Sequence, residues 1–214
     1  EINEILKVYK QIIEVNDCVE TICLASDILA EAKNQNGVIN ELLVVNGFKF
    51  EVLDAEQEIL GVYTAVINSF NRPKGLIINV GDYRTELVVY NRRNILNKFV
   101  IPYGSVQVYD NYKDMSFDER YDKIKSTVDQ MIEESGIKND LPEEYDIIGA
   151  GQIFRDFGSV CRKAKKYPIE LTHNFVADRT SFQKVYDLMK SYDINASTKI
   201  KGIKRVWCYI CIFW

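Results

Sequence analysis

Near its start the chain sets Ile2, Ile5, Leu6, Tyr9, Ile12 and Ile13 at helical spacing, which predicts an amphipathic helix over 2–15. CVETICLA (18–25) is short, apolar and partly β-branched, and predicts a strand. Two helical pieces follow, near 27–33 and 36–46, and Asn46-Gly47 closes the second. Residues 48–53 alternate apolar and charged side chains, as a half-buried strand does. Asp54-Ala55-Glu56-Gln57 has the spacing of a capping box and opens a helix running to about Phe70.

The texture then changes. GLIINVG (75–81), TELVVY (85–90) and ILNKFVI (95–101) are strand-like and joined by very short polar links. Links that short permit only antiparallel neighbours, so the three form a β-meander at about 75–101. After Pro102-Tyr103-Gly104 a short helix is expected over 105–112, then a longer one over 117–135 with Tyr121, Ile124, Val128, Met131 and Ile132 on one stripe. YDIIGA (145–150) is a further strand, followed by helices near 152–164 and 178–191. This order predicts an α/β chain of two lobes.

Composition narrows the function. The 214 residues are 47% hydrophobic and 27% charged, an ordinary globular balance. A net charge of −4 argues against a general nucleic-acid binder, which concentrates basic side chains on one face. The single histidine, His173, excludes multi-histidine metal centres. Five cysteines include no pair of close pairs and read as reduced intracellular thiols; Cys208-x-x-Cys211 supplies only half a zinc site. No apolar run approaches the roughly 20 residues needed to span a bilayer, so no membrane partner is expected and the chain is cytoplasmic in type. Phosphate-loop, metalloprotease, nucleophile-elbow and dinucleotide fingerprints are all missing from the sequence.

Five stretches remain, in a fixed order: LDAEQEILGVYTAVINS (53–69), KGLIINVGDYRTELVVYN (74–91), IPYGSV (101–106), DIIGAGQIFRDFG (146–158) and KKYPIELTHNF (165–175). Together with ASDILAEAKN (25–34) the series resembles the Ppx/GppA family of exopolyphosphatases and guanosine pentaphosphate phosphohydrolases. Family patterns of the type I-S-G-x-E-E-A, D-I-G-G-G-S-T-E-L, L-P-x-G-A, G-x-G-G-T-I-R-N and Y-P-x-x-x-x-H-N-Y align with Leu53–Ile59, Asn79–Leu87, 101–105, 149–156 and Tyr167–Phe175. The resemblance implies an actin-like, RNase H-like two-lobed phosphotransfer fold. Residues 1–60 would be the back half of the first lobe, 61–204 the second, and 205–214 an atypical apolar tail, RVWCYICIFW, of the kind a shifted reading frame leaves.

The implied chemistry is transfer of a terminal phosphoryl group to water, with polyphosphate or guanosine pentaphosphate as substrate and Mg²⁺ as cofactor. Such a reaction needs its negative charge held by metal, backbone N–H groups and cations, and a carboxylate to orient or deprotonate water. By resemblance Glu58 is the catalytic carboxylate, Gly81, Arg84 and Thr85 bind phosphate, and Glu86 with Asn79 serves the metal; a homodimer is left open. Asn79 replaces the family's Asp, which weakens metal attraction. Asp82-Tyr83-Arg84 replaces Gly-Gly-Ser: Asp82 repels phosphate, Tyr83 takes up its space and Arg84 partly compensates. Gln57, Asp54-Ala55 and Ala30 replace further family residues, and the amino-terminal D-x-G-S-N-S turn has no counterpart. These departures imply an impaired enzyme. The alternative is an inactive, truncated or degenerate member that acts at most as an anion-binding or interaction module.

Blander roles stand beside these. Glu58 also suits a helix dipole as a first-turn acid, and Glu86, alternating with Leu87, would lie on a solvated strand face. Gly149 and Gly151 mark a tight turn, and Arg155 fits an exposed helix position equally well. His173 reads as structural, and Arg162, Lys163, Lys165 and Lys166 as a solvated helix end.

Overall fold

The computed structural model describes residues 1–190, which fall into two compact units, one of Glu1–Gly61 and one from Val62 onward. The apolar tail, Lys199–Ile203 and the Cys208/Cys211 pair lie outside the described residues.

The first unit holds α1 (Ile2–Val15), β1 (Cys23–Ala25), a 3-10 turn (Asp27–Glu31), α2 (Gln35–Asn46), β2 (Phe50–Val52) and the start of α3 (Ala55–Ser69). β1 and β2 pair in parallel, Cys23 opposite Phe50 and Ala25 opposite Val52. The strand expected over 18–25 shrinks to its last three residues. Its partner β2 is only three residues long, and Val19 and Ile22 stay exposed beyond the reach of that pairing. Ser26 caps the 3-10 turn through Ile28 N (3.4 Å) where a helix over 27–33 was expected, and Gly47, at φ 78°, ends α2 in the left-handed conformation. Asn3 ties α1 to α2, donating to Glu41 Oε1 (3.0 Å) and accepting from Asn46 Nδ2 (2.6 Å).

In the second unit β3 (Lys74–Val80), β4 (Thr85–Asn91) and β5 (Asn94–Ile101) form the expected antiparallel meander. β6 (Asp146–Ala150) adds to the other edge of β3 in parallel, giving the order β5-β4-β3-β6. The helices are α4 (Ser105–Tyr112), α5 (Phe117–Ser135), α6 (Gln152–Ala164) and α7 (Arg179–Lys190). The main core joins Val80, Leu87 and Val89 of the sheet to Val108, Ile124 and Val128 of α4 and α5. β4 is central and buried on both faces, so it reads as the unbroken run Leu87-Val88-Val89-Tyr90. That corrects the expectation for Glu86: it is 5% exposed, inside the sheet rather than on a solvated face.

Ser116 and Glu119 close a capping box at the start of α5, and Gly136 (φ 66°) ends that helix. One turn in, Arg120 is completely buried. Cys161 of α6 packs with Val160 and Val185; burial pushes its thiol up to about 11, so at neutral pH it is a protonated packing residue. No helix among the described residues is long and apolar enough to cross a membrane.

Candidate functional site

The link between β3 and β4 is the four-residue turn Gly81–Arg84, closed by Gly81 N donating to Arg84 O (2.9 Å). Its carbonyls are committed to the start of α4: Ser105 N donates to Gly81 O (2.9 Å) and Val106 N to Asp82 O (2.8 Å). The side chains repeat the connection. Thr85 Oγ1 donates to Tyr103 O (2.9 Å) and Ser105 Oγ to Asp82 Oδ1 (3.0 Å). Thr85 and Ser105 are both buried, whereas Tyr83 is 44% exposed. The turn is therefore rigid on its carbonyl side. Asp82 is not a free charge at the tip but an acceptor for the first residue of α4.

Gly104 makes this docking geometrically feasible. Its backbone is extended, but a Cβ there would sit 2.3 Å from Tyr83 N and 2.5 Å from Arg84 N. The sequence signals this position only as punctuation between a strand end and a helix start. Gly104→Ala must push the turn off α4, an overpacking cost of about 1–3 kcal/mol. Urea unfolding checks this, and an unchanged midpoint would refute the docking argument.

Beside the turn, Asn79 and Glu86 are direct partners across β3 and β4, and Asn79 Nδ2 donates to Glu86 Oε2 (2.9 Å). Asn79 Oδ1 borders the N-terminus of α6. Gly151 (φ 87°) leaves room there, where a Cβ would approach that oxygen to 2.8 Å. Within α6, Gln152 Nε2 donates to Asp156 Oδ1 (2.8 Å), while the buried Asp156 Oδ2 has no partner. Sequence reasoning overlooked Asp156; the signal was an acid one helical turn after Gln152 on the apolar face.

The structure thus brings Asn79, Gly81, Arg84, Thr85 and Glu86 to one end of the β3–β4 hairpin. Glu58 belongs to the first unit. It is half-buried in the first turn of α3, where Asp54 and Gln57 exchange backbone-to-side-chain bonds at 2.8 Å as the capping-box spacing predicts. Arg155 and His173 are exposed. Of the basic cluster, Lys165 pairs with Asp178 (2.6 Å), holding that carboxyl well below the usual carboxylate range, and the buried Arg162 donates to Ile169 O (3.2 Å).

Among the described residues no group of three or more His, Cys, Asp or Glu side chains surrounds a metal position. Asn79 Oδ1 and the Glu86 carboxylate are nevertheless hard oxygen donors, and Mg²⁺ needs only one or two such groups when phosphates and water complete its shell. The donor set fits that ion.

Residues 1–206 match the model of the Ppx/GppA phosphatase family. No curated protein sequence matches the chain. Among solved structures, an exopolyphosphatase from Cytophaga hutchinsonii ATCC 33406 superposes with a TM-score of 0.84 at 15% identity, covering 98% of this chain and 69% of that one. The Aquifex aeolicus member of the Ppx/GppA family gives a TM-score of 0.80 at 18% identity, over 99% and 69%. At such identities the likeness shows the fold, which is the actin-like α/β fold of these proteins.

Proposed function

Because the chain belongs to the Ppx/GppA phosphatase family, we propose that the protein hydrolyses the terminal phosphoanhydride of inorganic polyphosphate or of guanosine pentaphosphate. One observation carries the reading: the turn at 81–84 is locked to the start of α4, with the Asn79–Glu86 oxygens beside it. A turn fixed on its carbonyl side is preorganised, as charge stabilisation of a transferring phosphoryl group requires.

In this reading the Asp82–Arg84 backbone holds the terminal phosphate together with the Arg84 side chain, through paired N–H groups, because the Gly81 N–H is committed to Arg84 O and the Thr85 hydroxyl to Tyr103 O. Glu58 accepts the proton of the attacking water as the new P–O bond forms and the bridging P–O bond breaks. The shortened chain departs as an anion. Asn79 and Glu86 would hold Mg²⁺, which when bound neutralises charge on the phosphoryl oxygens.

A second reading, an anion-binding module without turnover, is favoured by Asn79, a neutral amide that donates to Glu86 Oε2 (2.9 Å) and leaves one carboxylate of the pair to draw a metal. A phosphate-release assay on the protein with polyphosphate and with guanosine pentaphosphate, each with Mg²⁺ and with chelator, separates the two. The enzyme reading expects release from at least one substrate that chelation abolishes. Substrate binding without release in either arm establishes the module instead.

A further inference from the structure

The far end of the same hairpin carries a second cluster. Between the end of α3 and the β4–β5 link lies an open cavity of about 450 Å³, whose lining includes Asn68, Asn71, Arg72, Arg92 and Arg93. Three guanidinium groups border it and no carboxylate does. Among the described residues they make one ion pair, Arg72 with Asp146 at 3.8 Å between half-exposed groups, which is loose and contributes little.

Helix capping accounts for only part of this charge. Arg93 donates to Ile67 O (3.4 Å) near the carbonyl end of α3, and Asn174 Nδ2 already covers Ser69 O (3.1 Å). Arg92 is exposed and its guanidinium has no partner among the described residues. Both arginines sit at positive φ, 48° and 65°, as the two residues of a tight hairpin link. Asn-Gly is the sequence that relieves such a link, so arginine at both positions keeps charge where the backbone disfavours it.

We propose that Arg72, Arg92 and Arg93 form a second oxyanion site that takes phosphate groups, separated from the turn at 81–84 by roughly 20 Å of β4. Guanidinium forks match phosphate oxygens bidentately, and the Asn68 and Asn71 amides add neutral donors. The phosphate can come from a stretch of polyphosphate or from free orthophosphate. The site goes beyond the hydrolytic reading and does not depend on it.

The test titrates the protein, free of Mg²⁺, with tripolyphosphate and separately with orthophosphate. Arginine Nε–Hε NMR signals and calorimetry are followed in the wild type and in a double variant, Arg92→Asn with Arg93→Gly. That variant installs the relaxed link and keeps the fold. We expect tripolyphosphate to shift the Arg72, Arg92 and Arg93 signals, and the variant to lose at least tenfold in affinity while keeping any phosphate release. Orthophosphate producing the same shifts identifies the free anion as the ligand; shifts with tripolyphosphate alone identify the chain. Arginine signals that move with neither ligand, or an unchanged affinity in the variant, overturn the proposal. Because release is read separately, failure here is distinct from failure of the hydrolase reading.

Discussion

On the proposed hydrolase reading, Glu58→Gln should lower Mg²⁺-dependent phosphate release by about 10²–10⁴-fold, the range general-base catalysis supplies. The amide keeps the size of the carboxylate and removes its ability to take a proton from water. Little else should change. The start of α3 is held by the Asp54–Gln57 exchange, which the substitution leaves in place. Glu56, exposed in the same turn, is the internal control: Glu56→Gln leaves the rate within a factor of two or so of the wild type. A Glu58→Gln protein that still releases phosphate at the wild-type rate removes this residue from the chemistry.

Arg120→Ala destabilises the second unit by about 3–5 kcal/mol, a large share of the roughly 5–15 kcal/mol that holds a domain together. The side chain is fully buried, with Nε donating to Tyr112 O (3.1 Å) and a terminal nitrogen to Met115 O (2.7 Å). Truncation leaves both carbonyls inside the protein without these donors and opens a cavity in place of the stem. Arg120→Lys recovers only part of the loss, since a point ammonium does not reproduce a planar fork spanning two acceptors. Urea unfolding with the slope unchanged measures the effect, and a loss below about 1 kcal/mol would contradict it. Function follows stability here. Arg120 secures the end of α4, and the start of α4 secures the turn.

The meander was legible because its links are too short for anything but reversal, and α3 because Asp54 and Gln57 stand at capping distance. What the pattern hid depended on the third dimension. Glu86 alternates with Leu87, and nothing local says that β3 and β5 flank β4 and that both its faces are covered. Arg120 looks like any charged residue on an amphipathic helix until α4 is seen to end above it. Val19 and Ile22 have strand composition but find no pairing strand among the described residues. At the site, Asn79 and Glu86 were read as neighbours of one metal. The register adds that they bond to each other across the hairpin, which follows once the turn length is known. Gly104 and Asp156 escaped because close approach and an unmatched buried oxygen leave no periodic trace.

β3 is joined to its two neighbours over very different stretches of chain. Ile77 meets Val88 through a four-residue reversal, but it meets Ile148 only after about 70 intervening residues. Loop-closure entropy grows as the logarithm of length, so on the same count of intervening residues, ten against 70, bringing β6 home costs about 1.7 kcal/mol more than folding the hairpin. β6 is also a short edge strand, with Ile148 alone buried among its five residues. The sheet should therefore breathe along the β3–β6 seam first, and with β6 goes Gly151, which keeps the space beside Asn79 Oδ1. Of the two flanks of the turn, the one at α4 is built to stay shut, and the one at Asn79 opens at lower cost.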